Sequence, residues 1–292
     1  MLTILEFWLY GVAAACMLFS SISDIKKLEV PDFSSYFMIS FGLGARLIYS
    51  IIFGSFIQFL DGILGLAFFS GMGLLMYYLG QWGGGDTKIT MGFGAIAGLG
   101  IKNSFFPILT FIVMLVSGAV LGIFYSLYNY LKNFKESNNQ ILNMLRKNRP
   151  FEIIIWATAT ILALILLILK IFNPAALLLL AVIIILYYLA IWLSAVQEVS
   201  MIKLVSPKEL VEGDWLVEDI KVKGKVVVKK SRTGIEKKDI DKIIKLYKKG
   251  SIKKVKVKYG MPFVPSFFIG LLLSLLFKNN ILAFLRALQD LL

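Results

Sequence analysis

The sequence predicts an all-α polytopic membrane bundle of about six to eight helices, one of them short or broken, carrying a small cytoplasmic α+β insert. Three observations lead there. Apolar residues make up 58% of the 292 and charged ones 17%, whereas a soluble domain is nearer half and a quarter. Several uninterrupted apolar runs approach the ~20 residues that an α-helix needs to cross a bilayer. One stretch, Gln197–Gly260, is instead densely charged. This composition excludes both a soluble globular enzyme and a disordered chain.

The elements follow in order. The first span covers about Leu2–Ile22; it lacks the basic start and small-residue exit of a cleavable signal peptide. The polar stretch Ser23–Asp32 separates it from spans near Phe33–Phe53 and Phe56–Leu79. After Gln81–Lys88 comes Ile89–Gly100, apolar but rich in Gly and too short to cross alone, which fits a half-helix or a bent one. Further spans fall near Ser104–Tyr128, Ile153–Ile171 and Ala175–Ala195, with the polar segment Leu131–Pro150 between the first two of these. The last covers about Pro262–Phe277 and leads into an amphipathic tail, Asn280–Leu292. The expected domains are therefore a membrane domain over 1–196, a soluble insert over 197–260, and a final helix with its tail over 261–292.

Positive charge sets the expected orientation. Lys26 and Lys27, the basic residues of Leu131–Pro150, and most remaining Lys and Arg share one side if Ile89–Gly100 and Ser104–Tyr128 form an in-and-out pair. That side is the cytoplasm. It then holds the insert, Asp24 and the Gly83–Lys88 loop, while Asp61 falls outside, where interfacial solvation suffices for it.

Within the insert, 18 Lys and Arg face 9 Asp and Glu, a net +9 of the chain's +13. Val217–Lys229 alternates around Lys223-Gly224-Lys225 as a hairpin. Asp239–Lys249 has helical spacing ended by Gly250, and Ile252–Tyr259 alternates as a strand. The Lys excess fits a surface beside anionic lipid. Aromatic residues for stacking on nucleic acid are scarce in the basic part, so nucleic acid is not an expected partner.

Histidine is absent and Cys16 is the one cysteine. Histidine-based triads, zinc sites and thiolate clusters cannot be built from such a chain, and no metal or cofactor is expected. Ionisable groups beside spans are costly and therefore become candidates for function. Asp24 and Asp86 each end a long apolar run on the same expected side. Two carboxylates a few ångströms apart share a proton, which supplies the acid and base of aspartyl peptide hydrolysis. Interfacial aspartates also serve as helix caps or headgroup contacts, and the residues alone leave both readings open. Gly83-Gly84-Gly85 directly before Asp86 lets a backbone approach closely, or forms a flexible turn. Lys88 either lowers the pKa of the pair or anchors its helix at the headgroups.

Gly83-x-Gly85-Asp86 resembles the G-x-G-D motif of membrane aspartyl proteases, and Asp86-x-Lys88 resembles its prepilin-peptidase form. Asp24 followed by Val30-Pro31-Asp32 is similar to that family's first catalytic loop. Gly260-Met261-Pro262-Phe263-Val264-Pro265 and Glu212-Gly213-Asp214-Trp215-Leu216 resemble segments of archaeal members. Across most of the chain, the sequence thus resembles the archaeal type IV prepilin and preflagellin peptidases. The Cys-rich segment of the bacterial, methylating branch is missing.

The resemblance implies a membrane aspartyl endopeptidase with Asp24 and Asp86 as catalytic residues. Gly83, Gly85, Lys88, Glu212 and Asp214 are then supporting or substrate-binding residues. The implied partners are prepilin or preflagellin precursors, cleaved at the cytoplasmic face, together with membrane lipids. The acidic cluster around Trp215 (Glu209, Glu212, Asp214, Glu218, Asp219) is expected either to face basic leader peptides or simply to form turns. A transporter using Asp24 and Asp86 as ion sites, or a non-catalytic assembly protein, is the competing reading.

Overall fold

The computed structural model describes residues 4–101, 105–168, 174–222, 224–231 and 233–280. It is mostly helical, with small sheets in the C-terminal region. Five helices are long and apolar enough to cross a membrane among the described residues. The chain divides into two compact units, one of Met1–Gly122 with Val205–Leu292 and the other of Ile123–Leu204.

The first unit opens with α1 (Ile4–Lys27), α2 (Asp32–Ile52) and α3 (Ile57–Tyr78). α1 continues five residues past the expected end of its span, so Asp24 sits within its last turn rather than in a loop. Leu28, at a positive φ of 56°, stops the helix, and its N–H bonds the Asp24 carbonyl at 2.8 Å. A left-handed residue that closes a helix in this way is usually Gly.

α4 (Gly84–Ala97) is short, as expected of Ile89–Gly100, but starts five residues earlier, so Asp86 and Lys88 lie in the helix rather than in a loop before it. Its 14 residues reach about 21 Å, short of a ~30 Å hydrocarbon core. The glycines of this segment have a packing reason. A Cβ on Gly94 would stand 2.5 Å from the Gly65 carbonyl oxygen of α3, and one on Gly42 of α2 would stand 2.9 Å from the Ala95 carbonyl. Small residues thus let α4 lie backbone to backbone against two helices. Its other side chains fill the core: Phe93 stacks edge-on to Phe69, which meets Phe111 likewise, and Ile89 and Ile96 are fully buried.

α5 (Phe106–Lys132) brings Phe111 and Met114 to this core and runs on into the second unit. That unit contains α6 (Phe134–Lys147), α7 (Arg149–Ile168) and α8 (Pro174–Ser200). α6 occupies the segment expected only to be polar. Within the unit, Tyr188 on α8 donates to Glu152 on α7 at 2.8 Å and accepts from the Trp156 indole at 3.0 Å.

β1 (Ile202–Val205) comes next in the chain, within the insert. There β2 (Trp215–Leu216) pairs antiparallel with β5 (Val255–Lys258), and β3 (Ile220–Val222) with β4 (Lys225–Val228). The expected hairpin is present, although Lys223 at its turn lies outside the described residues. α9 (Lys237–Lys248) buries Ile240 and Ile243 against the strands and ends at Gly250, whose φ is 70°. Finally α10 (Val264–Leu276) returns to the bundle and buries Val264, Phe267 and Leu271. The expected tail beyond Asn280 lies outside the described residues.

Candidate active site

Asp24 is buried, with 6% of its surface exposed. Its Oδ2 accepts the backbone N–H of Val264 at 3.0 Å. Val264 opens α10, so Asp24 satisfies one of the orphan donors of a helix N-terminus. The Pro262-Phe263-Val264-Pro265 step thus presents its backbone to an aspartate 240 residues upstream.

Asp86 lies in the first turn of α4, and its Oδ2 accepts the Gly83 N–H at 3.0 Å. Thr87 secures the same turn by donating its hydroxyl to the Gly83 and Gly73 carbonyls. α4 is not one of the five spanning helices. Burial raises the pKa of Asp86 to about 7, against the Gly83 N–H, which lowers it; the nearby charge of Asp24 raises it further. Asp24 is thus near enough to act on Asp86 through its charge.

The glycines before Asp86 differ in their reasons. Gly83 has an ordinary extended backbone, φ −78° and ψ 169°. A Cβ on Gly84 would meet open space. Gly85 alone is forced: its Cβ would stand 2.6 Å from Cγ2 and 2.7 Å from Cβ of Val30. The close approach permitted by the Gly run is therefore to Val30-Pro31-Asp32, the second half of the sequence signature. Lys88 joins the same two segments by an ion pair with Asp32 at 2.5 Å. This is a third role for Lys88, neither of the two anticipated from sequence.

Beside the aspartates, Trp82 is buried against Phe111, Phe263 and Phe267, with ring centroids 5.3–6.3 Å apart. The insert reaches this end of the bundle through the Tyr77 hydroxyl, which donates to the Thr233 carbonyl at 3.3 Å.

The acidic cluster of the insert is occupied locally. Glu212 accepts the Lys237 N–H at the start of α9, Asp214 the Val211 N–H, and Asp219 the Lys230 N–H, all at 2.8–2.9 Å. Glu218 pairs with Lys256. The Gly213-Asp214 turn is built around backbone contact, because Gly234 packs directly on Gly213.

Asp61 is where expectation from sequence fails. It is not solvated at an interface but 9% exposed, and paired at 3.1 Å with Arg46, itself 3% exposed. The missed signal was an arginine inside the apolar run of the second span, a costly placement that calls for a partner.

Residues 11–127, which hold both aspartates, match the type IV leader peptidase family. That match covers 117 of this chain's 292 residues. Proteins similar to the chain include the preflagellin peptidase of Methanococcus voltae, 29% identical over 134 residues, covering 42% of this chain and 57% of the relative. A second, from Methanocaldococcus jannaschii, is 35% identical over 85 residues, 29% of this chain and 36% of the relative. The chain therefore spans less than two thirds of the length of these leader peptidase relatives. The family match also ends before Glu212–Leu216 and Gly260–Pro265, so the resemblance read across most of the chain is carried by 11–127. No solved structure matches.

Proposed function

We propose that this chain is a membrane aspartyl endopeptidase that removes short basic leaders from type IV pilin-like or archaellin precursors. The observation that supports this reading is the arrangement of Asp24 and Asp86: two carboxylates on different helices, both bonded by backbone N–H groups, with the charge of Asp24 acting to raise the pKa of Asp86. In this reading Asp86 holds the shared proton near neutral pH and gives it to the scissile carbonyl oxygen. Asp24 takes a proton from the attacking water. Return of the protons to the leaving amine and to the pair completes the cycle without a metal or other cofactor.

Gly85 and Lys88 support the site by seating α4 on the Val30–Asp32 segment. Gly83 supplies the N–H that caps Asp86. Glu212 and Asp214 support the insert rather than bind the leader, since their carboxylates are already engaged by its backbone. The domain reading is a membrane bundle bearing the aspartates, with Gln197–Gly260 as a soluble cap on its cytoplasmic side. The excess of Lys and Arg in Leu131–Pro150 and in the insert supports that orientation.

The test is co-expression with a pilin-like or archaellin precursor, followed by N-terminal sequencing of the product. The reading expects one cleavage just before the precursor's apolar helix, lost in Asp24→Asn and Asp86→Asn. Cleavage that persists in either variant would overturn it.

A further inference from the structure

The Arg46–Asp61 pair lies at the opposite end of α4 from Asp86. It grips the terminus of that helix from both sides. Arg46 Nη2 donates to the Ile96 carbonyl, in the last turn of α4, at 2.8 Å. Nη1 donates to Asp61 Oδ2 and to the Gln58 carbonyl, each at 3.1 Å. The other carboxylate oxygen, Asp61 Oδ1, accepts three successive N–H groups just past the helix: Leu99 at 3.2 Å, Gly100 at 2.8 Å and Ile101 at 3.0 Å. The chain turns at Gly98, φ 73°, where a Cβ would overlap the Asp61 carboxylate.

Burying two charges in an apolar bundle costs several kcal/mol per ion, and even a well-bonded pair rarely betters apolar packing. Stability is thus a weak reason for this pair. Its geometry offers a better one. At 1.5 Å per residue, Ile96 is about 15 Å along the helix from Asp86. At the near end, Gly85 rests against Val30 with no room for a Cβ. α4 is held at both ends, and a helix this short transmits rotation or axial slip from one end to the other.

We infer that Arg46 and Asp61 are positioning residues that set the height and rotation of Asp86 from the far end of α4. The inference rests on the catalytic reading of Asp86 and extends it to two residues that touch no reacting atom.

The experiment uses the full chain in detergent, in two arms. The first reads geometry alone. Asp32→Cys with Lys88→Cys, in a Cys16→Ala background, places two thiols across the near-end ion pair without adding a Cβ at Gly85, and the initial rate of cross-linking by a short bis-maleimide is measured by loss of free thiol. Adding Arg46→Met with Asp61→Leu removes the clamp and leaves no unpaired buried charge; because it also orphans the three N–H groups that Asp61 accepts, Asp61→Asn, which keeps an acceptor, is measured beside it. Cross-linking is expected to slow at least fivefold.

The second arm reads precursor cleavage in the chain with its native residues at 16, 32 and 88. Arg46→Met/Asp61→Leu, and Asp61→Asn as a milder variant, are expected to lower kcat 10- to 100-fold, with KM within twofold. A displacement of about 1 Å costs that much. An unchanged cross-linking rate, or wild-type kcat in the double variant, overturns the clamp. Asp86→Asn separates the two readings: if it still cleaved, the catalytic assignment would fail, whereas the cross-linking arm would still decide the clamp.

Discussion

Gly85→Ala is the smallest change that should reach the chemistry. The new Cβ would stand 2.6 Å from Val30 Cγ2 and 2.7 Å from Val30 Cβ, where apolar carbons rest at about 3.5–4.0 Å. Something must therefore move by about 1 Å. Overpacking of this size costs about 1–3 kcal/mol. Helix propensity acts the other way, since Ala in place of Gly gains about 1 kcal/mol. Net stability should change by no more than about 2 kcal/mol, and the protein should still accumulate. Turnover should suffer more, because the displaced residue adjoins Asp86 and a shift of about 1 Å costs up to ~100-fold.

Second-site changes at Val30 give the diagnostic. Val30→Ala removes the nearer methyl but leaves the Cβ, so it should restore turnover in part; Val30→Gly removes both and should restore most of it. The assay is the initial rate of precursor cleavage by purified protein, with thermal stability measured on the same samples. A Gly85→Ala protein that is stabilised and fully active would refute the close-approach argument. So would recovery that is not graded from Val through Ala to Gly.

Asp24→Asn and Asp86→Asn keep an oxygen that can accept from the Val264 and Gly83 N–H groups. Protein levels should hold while turnover drops at least ~1000-fold, whereas Asp24→Ala should also lose about 1–3 kcal/mol by orphaning a buried donor. The carboxyl of Asp86, raised to about 7 by burial, holds a proton in the folded chain that the unfolded chain releases near pH 4. Stability should therefore decline as pH rises from about 4 to about 7, and titration of Tm should show that slope flattened in Asp86→Asn. Lys88→Met and Asp32→Asn each break one half-exposed pair worth at most about 1 kcal/mol. The double change should cost no more than either alone, and the pH–rate profile should stay unmoved in all three. Glu212→Ala removes the carboxylate that binds the Lys237 N–H, so the insert should lose about 0.5–1.5 kcal/mol. Limited proteolysis of α9 would report it, with KM for the precursor unchanged.

Much of the membrane portion was legible because hydrophobic length is a local signal: α2 and α3 match their expected spans within a residue or so at each end. A motif singled out the two aspartates, and its glycines marked the short α4. What escaped was non-local or polar. Nothing near Asp24 in sequence announces Val264 as its donor. Asp61 was weighed alone, and a lone carboxylate near a span end looks solvated; only Arg46, fifteen residues away and one helix over, makes its burial affordable. α6 was hidden because a helix with one apolar face and a charged remainder has the average composition of a loop. The local bonds of the acidic cluster around Trp215 were hidden for a related reason: charge counts describe a surface, whereas here four of the five carboxylates accept backbone N–H groups of the insert and Glu218 pairs with Lys256.

The bond from Val264 to Asp24 also dates the birth of the site. A ribosome making this chain releases Asp24 early, then Asp86, and both can enter the membrane long before α10 exists. Until residue 264 is translated, the first carboxylate lacks its fixed donor, and the aromatic wall of Phe263 and Phe267 beside Trp82 has not been made. A nascent chain would thus carry both carboxylates beside an unfinished aromatic wall while its own apolar segments were being threaded past. Tying the first aspartate to α10 leaves this arrangement incomplete until residue 264 has been made.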